Sequence, residues 1–166
     1  MKNLIVDLDG TIALERHRRP LSREGWAEYF KHIHLDPVNE SVLKFLEMAF
    51  EEHNILIFTS RPSIYAPQTF EWLEANNVPY HRMEMRSEAD TETGDGDWQA
   101  KKSDYDVKLE MLVKHRIGPA NTFCVLEDRD DMVEFYRALG YDCWQVHPQH
   151  EMYRPDVTAH EGVQNV

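Results

Sequence analysis

The chain has 166 residues, 42% of them hydrophobic and 11% aromatic, with a formal net charge of −12. That apolar content excludes a disordered chain, and the length suits one domain with a sizeable core. The acidity excludes a general electrostatic grip on long nucleic acid, which needs a basic face, but leaves room for a small or terminal phosphate held by a few local arginines.

The first residues lack the apolar core of a secretory leader and no run approaches a membrane span, so a cytoplasmic protein with no membrane partner is expected. Cys124 and Cys143 lie in separate apolar stretches without C-x-x-C spacing, and are expected to be buried free thiols.

Leu4, Ile5 and Val6 form an apolar run that reads as a fully buried strand, and it stops at Asp7-Leu8-Asp9-Gly10-Thr11. Asp7 then stands at the carboxyl end of a central strand, where open α/β sheets keep their ligand crevices, and Asp9 starts the loop. A helix cap is the plainer use for such acids, but two are more than a cap requires. On a phosphate ester, Asp7 can attack phosphorus while Asp9 protonates the leaving oxygen and later deprotonates a water. Each pair of unit charges repels by roughly 4 kcal/mol at 4 Å and an effective dielectric of about 20, so two carboxylates facing a phosphate dianion require a divalent cation.

Arg16-His17-Arg18-Arg19-Pro20 is a cationic cluster with two open readings, phosphate recognition at the crevice mouth or a solvated basic loop. Ser22 is expected to cap a helix running to about Leu35, with Trp26, Tyr29, Phe30 and Ile33 on one face, placed as a small lid. His32 and His34 would diverge on it, which favours surface histidines over a metal pair. Asn39 or Ser41 opens a second helix whose Val42, Leu43, Phe45, Leu46 and Ala49 face a core.

Ile55 to Phe58 is a second buried strand, and it ends in Thr59-Ser60-Arg61-Pro62. A hydroxyl there can donate to a phosphoryl oxygen and Arg61 can hold another, although a turn with a helix cap has the same composition. A helix over 63–76 carrying Tyr65, Phe70, Trp72 and Leu73 leads to a short third strand near His81 to Met83. Ser87 to Asp104 is polar, and the spacing of Asp90, Glu92, Asp95 and Asp97 does not match a calcium loop, so an exposed insertion is expected.

Tyr105 to Arg116 reads as a helix with Lys108 near its first turn, and Thr122 to Leu126 as a strand ending in Glu127-Asp128-Arg129-Asp130-Asp131. Met132 to Leu139 forms a helix stopped by Gly140, and Cys143 to Val146 a last strand. Periodicity fades after His147, giving a domain over 1–150 and an arm or tail over 151–166.

This alternation predicts an α/β fold, a Rossmann-like parallel sheet flanked by helices with right-handed crossovers and at most a small helical cap. All strand carboxyl ends then share one edge, which gathers Asp7, Asp9, Thr59, Arg61, Glu127 and Asp128, with a lysine reaching in from the intervening helix. A nucleophile, an acid/base, a hydroxyl, a cation and further metal carboxylates would meet there.

Through Asp7-Leu8-Asp9-Gly10-Thr11, Thr59, Lys108 and Glu127-Asp128 the chain resembles haloacid dehalogenase superfamily phosphatases over nearly its whole length. More narrowly, Met85-Arg86, Asp106-Val107-Lys108, Glu127-Asp128-Arg129, Val133-Glu134, Gly140 and Cys143 to Val146 are similar to the 3′-phosphatase half of phage polynucleotide kinase/phosphatase. Ser60 stands where that group usually has glycine, Glu127 replaces the first of two aspartates, and the 87–104 segment is longer. The resemblance implies an aspartyl-phosphate at Asp7, acid/base work by Asp9, phosphoryl contacts from Thr59 and Lys108, and Mg2+ on Asp7, the Asp9 carbonyl and Asp128 with Glu127 beside them. Arg61, Arg86 and Arg19 are the expected substrate grip. The chain holds no Gly-x-x-x-x-Gly-Lys-Ser/Thr loop, so no kinase half is expected in it.

The expected function is magnesium-dependent hydrolysis of nucleotide or polynucleotide 3′-phosphates, on a small nucleotide or a 3′-phosphorylated oligonucleotide end, in host cytoplasm if the protein is phage-encoded. A 5′-(deoxy)nucleotidase is the alternative within the same chemistry. A non-catalytic acidic binding module is the rival from another class.

Overall fold

The computed structural model describes residues 1–94 and 97–146; the arm expected at 151–166 lies outside the described residues. In chain order the elements are β1 (Lys2–Val6), α1 (Trp26–Lys31), α2 (Glu40–Ala49), β2 (His53–Pro62), α3 (Ala66–Ala75), β3 (Arg82–Arg86), β4 (Thr91–Gly94), β5 (Asp97–Ala100), α4 (Asp104–Lys114), β6 (Thr122–Glu127), α5 (Asp130–Ala138) and β7 (Cys143–Gln145).

Five strands form one sheet in the order β3-β2-β1-β6-β7, with every pairing parallel. A strand paired on both edges and covered on both faces has no solvent side, which is why β1 reads as an unbroken apolar run. Its side chains alternate between two cores. Leu4 and Val6, with Ile55, Ile57, Cys124 and Leu126, pack with Leu46 of α2 and Trp72 and Leu73 of α3. Ile5, with Leu56, Phe58 and Val125, packs with Val107 and Met111 of α4 and with Met132, Val133 and Tyr136 of α5.

From β1 the sheet grows one way through β2 and β3, then the other way through β6 and β7. The reversal beside β1 is a topological switch point, and a crevice opens there at the strand carboxyl ends. Helix caps set the approach. The Asn39 side chain accepts from the Val42 amide at the start of α2, and the Ser103 side chain accepts from the Asp106 amide, which fixes where α4 begins and so where Lys108 points.

One expectation is corrected. The helix predicted from Ser22 to Leu35 is three pieces, a 3-10 helix at Glu15–Arg23, the six-residue α1, and a 3-10 turn at Ile33–Leu35. Pro20 removes a backbone donor, Gly25 takes φ +123° between the pieces, and Ser22 donates to the Arg19 carbonyl instead of capping a helix. The polar 87–104 segment, expected as an exposed insertion, contains the antiparallel pair β4–β5, preceded by a turn at Glu88–Asp90. The two cysteines are buried and free, as expected. Among the described residues no helix is long and apolar enough to cross a membrane.

Within α2, Leu46 is fully buried while Met48 is 73% exposed. Leu46→Ala should therefore cost about 2–5 kcal/mol in urea unfolding, whereas Met48→Ala should stay within about 0.5 kcal/mol of the parent. Equal costs would contradict the assignment of the core face.

Candidate active site

The Asp7 amide donates to the Leu126 carbonyl at 3.0 Å, so the β1–β6 ladder carries the backbone one residue past the strand before the loop begins. The Asp7 side chain there meets Lys108, whose ammonium also donates to the Phe58 carbonyl of β2. Lys108 is buried and ties the ends of β1 and β2 together.

Asp7, Glu127 and Asp128 form an acid cluster with carboxylate oxygens all within 4.8 Å of one another. Glu127 Oε1 accepts from the amides of Asp128 (3.1 Å) and Arg129 (3.4 Å), while its Oε2 is buried with no hydrogen-bond partner among the described residues. Gly10 is what lets Asp128 in. Its φ is +92°, and a Cβ there would fall 2.2 Å from Asp128 Oδ2.

Burial, then the charge of Glu127, pushes Asp7 up to about 7, against the pull of Lys108. Burial and Asp7 raise Asp128 to about 7, and burial raises Glu127 to about 7, with Lys108 opposing. Burial works against the Lys108 ammonium too, but Asp7 foremost, then Tyr136 and Glu127, together outweigh it and hold its pKa above the usual lysine range. Three acids against one ammonium and an arginine already paired with Glu15 is a site short of positive charge, and its all-oxygen donor set fits a hard divalent cation such as Mg2+.

Asp9 has the opposite surroundings. Its Oδ1 accepts from Arg18 and from Arg61 Nη2 (2.6 Å), and its Oδ2 from Arg61 Nε (3.2 Å). Burial opposes ionisation, yet the two guanidiniums hold this carboxyl far below the usual carboxylate range. Arg18 is in turn gripped by Asp36, Nε to Oδ1 at 2.8 Å and Nη2 to Oδ2 at 2.7 Å, and lies 4.2 Å over the Tyr29 ring. Arg61 Nη1 donates to Thr69 at 3.0 Å. Two acids two residues apart thus have pKa values driven in opposite directions, Asp7 up and Asp9 down; an ionised Asp7 and a proton-donating Asp9 would need a cation on the acid cluster and loss of the guanidinium contacts to Asp9.

Thr59 is buried at the cleft, its hydroxyl accepting from the Arg61 amide at 3.1 Å. Arg86 spends its three nitrogens on the Ser60 carbonyl (3.1 Å), the Lys102 carbonyl (2.8 Å) and Asp104 (2.6 Å), clamping the end of β2 to the start of α4. Arg19 pairs with Glu15 at 2.6 Å and comes within 3.8 Å of Asp128 Oδ2.

All nine residues expected from the sequence, Asp7, Asp9, Arg19, Thr59, Arg61, Arg86, Lys108, Glu127 and Asp128, border one cleft of about 560 Å³. Three further residues were not singled out. Arg18 sat unresolved within the basic cluster, and nothing local distinguishes Asp36 or Asp104 from surface acids. Asp104 accepts from both Arg86 and Arg129 at the cleft edge.

A doubly wound parallel sheet with this acid cluster at its switch point defines a haloacid dehalogenase-like phosphatase. Within that class the chain belongs to the family described as the polynucleotide kinase PNKP phosphatase domain, whose model matches residues 1–150. It is similar to a chain of the Pnkp1/Rnl/Hen1 RNA repair complex, at 25% identity and a TM-score of 0.70 over 87% of this chain and 42% of that one. A second structure of the Pnkp1/Rnl/Hen1 complex matches at 26% identity and 0.68, over 87% and 45%. The chain thus spans under half the length of these relatives. A haloacid dehalogenase-like hydrolase from Streptococcus pneumoniae shares the fold, at 12% identity and a TM-score of 0.60 over 92% and 89% of the two chains.

Removing Asp36 would leave Arg18, which has no exposed surface, with one carboxylate in place of two. Asp36→Ala should therefore lose about 3–5 kcal/mol in chemical denaturation, the cost of breaking a buried ion pair from one side. A change within about 0.5 kcal/mol, as for an exposed acid, would show that Asp36 does not hold Arg18.

Proposed function

We propose that this phosphatase hydrolyses nucleotide or polynucleotide 3′-phosphates with Mg2+, through a phosphoryl group carried on Asp7. The observation that carries the reading is the meeting of Asp7 with Lys108, Glu127 and Asp128 at the end of β1, in one cleft with Asp9. An Asp7 oxygen attacks phosphorus as the bond to the ester oxygen breaks, and the leaving oxygen takes a proton from Asp9. A water then attacks phosphorus in the acyl phosphate, Asp9 takes its proton, and inorganic phosphate and the Asp7 carboxylate are released.

Lys108, Thr59 and Arg61 hold the phosphoryl oxygens in this reading, which their position on the cleft wall supports. An incoming phosphate competes with Asp9 for Arg61, and loss of those bonds raises the Asp9 pKa, so that Asp9 can take from solvent water the proton it delivers to the leaving oxygen. Mg2+ would be held by Asp7, Asp128 and the Asp9 carbonyl, with Glu127 beside them. It supplies the positive charge that the acid cluster and the phosphate both lack. The unpartnered Glu127 Oε2 supports this assignment.

The substrate class rests on the family and on the RNA repair complex to which two similar chains belong. A chain of net charge −12 with a few cleft arginines suits a terminal nucleotide rather than a long strand.

Phosphate release should be measured from matched 3′- and 5′-nucleotides and 3′-phosphorylated oligonucleotides. The parent protein is expected to favour the 3′-esters. Asp7→Asn should keep the fold by circular dichroism yet lose turnover, since an amide cannot supply the attacking carboxylate. Preference for 5′-esters would redirect the substrate assignment, and near-parent activity in Asp7→Asn would remove the nucleophile.

The cation has its own readout. In the folded chain Asp7, Glu127 and Asp128 hold protons up to about pH 7, whereas in the unfolded chain they ionise near pH 4. Their stability contribution therefore declines as pH rises through that window, and Mg2+ must displace those protons to bind. Mg2+ should raise the melting temperature more at about pH 8 than at about pH 5.5. An equal rise at both would place the ion elsewhere.

A further inference from the structure

The cleft is not polar throughout. Trp26, Tyr29 and Phe30 of α1 line it as an aromatic wall. The rings of Trp26 and Tyr29 meet edge to face at 5.3 Å, those of Tyr29 and Phe30 at 4.9 Å, and Phe30 stacks on Tyr65 at 4.8 Å. Tyr29 and Phe30 are buried and anchor this six-residue helix to the body. Trp26 sits one ring further out and keeps 42% of its surface exposed.

The wall begins next to the chemistry. Asp9 is held by Arg18, the Arg18 guanidinium lies 4.2 Å over Tyr29, and Tyr29 abuts Trp26. An indole at the side of a phosphate cleft, fixed by the two aromatic rings behind it, is a flat and preorganised surface. Anchoring α1 accounts for Tyr29 and Phe30 but not for leaving a tryptophan at the cavity. The cleft of about 560 Å³ also falls within the roughly 300–1,000 Å³ range of small-ligand sites.

We propose that Trp26 is the platform on which the nucleobase of the 3′-phosphorylated terminal nucleotide stacks while its phosphate sits over Asp7. This rests on the function proposed above and adds the base to it. Stacking uses the π-face that every base has, so the subsite takes purines and pyrimidines alike. It also gives a nucleotide an advantage over a sugar phosphate without calling on the arginines.

The test compares a nucleoside 3′-monophosphate with the same deoxyribose 3-phosphate lacking its base, in the parent protein, Trp26→Ala and Trp26→Phe. Trp26→Ala should lower kcat/KM for the nucleotide by about 5- to 100-fold, chiefly through KM, and Trp26→Phe should recover much of the loss. The base-free ester should be turned over alike by all three. Equal losses on both esters would assign Trp26 to holding α1 in place, and no loss on either would remove it from the site; both overturn the proposal. Calorimetric binding of the same two compounds to the Asp7→Asn protein, with and without Trp26→Ala, makes the comparison independent of turnover. A protein that releases phosphate from neither ester but still binds the nucleotide through Trp26 would refute the activity and keep the subsite, while binding insensitive to Trp26 would refute the subsite.

Discussion

Charge balance at the end of one buried strand is the constraint on which the rest of the structure depends. Asp7, Asp9, Asp36, Glu127 and Asp128 crowd the switch point and are met by Arg18, Arg61 and Lys108. Burying a carboxylate without a partner costs several kcal/mol, so each acid must be paired, hydrogen-bonded, protonated or neutralised by a cation. Asp9 and Asp36 take the first route through two arginines. Asp7, Glu127 and Asp128 share Lys108 and the nearby Arg19 guanidinium, itself paired with Glu15, and when fully ionised they retain an excess of negative charge. That imbalance fits the proposed divalent cation.

That balance also explains the irregular stretch between β1 and α2. A regular helix from Ser22 to Leu35 would satisfy its own backbone, but Arg18 and Asp36 bracket the segment and both must reach Asp9 or its partner. Gly25 breaks the helix so that the chain can turn at the cleft, and Trp72 closes the arrangement by donating its indole N–H to the Asp36 carbonyl at 2.8 Å. The cap is thus fastened to the acid it covers. Tyr29 serves both parts, as the ring beneath the Arg18 guanidinium and as an anchor of α1.

Much of this was legible in the sequence where local and global preferences agree. An apolar run ending abruptly in polar residues reads as a buried strand entering a crevice, and β1 and β6 do so at acids and β2 at Thr59-Ser60-Arg61. The Asn39 cap and the place of Lys108 in α4 also follow from local rules. Arg18, Arg16 and Arg19 cannot be told apart by composition, because what selects Arg18 is a carboxylate 18 positions away in the sequence. Asp36 looks like any surface acid before a proline until that partner is known. β4–β5 does not stand out in the sequence because its polar residues lack the apolar alternation that marks a half-buried strand.

The central claim is that Asp7, at the end of β1, becomes covalently phosphorylated during turnover. Acid quenching with excess substrate and Mg2+, followed by borohydride reduction and peptide mass spectrometry, tests it directly, because an aspartyl phosphate is reduced to homoserine while a free carboxylate is not. Homoserine at position 7, dependent on substrate and absent from Asp7→Asn, is the predicted result. Rapid phosphate release with position 7 recovered only as aspartate, or with the modification at Asp9 or Asp128, would contradict the account.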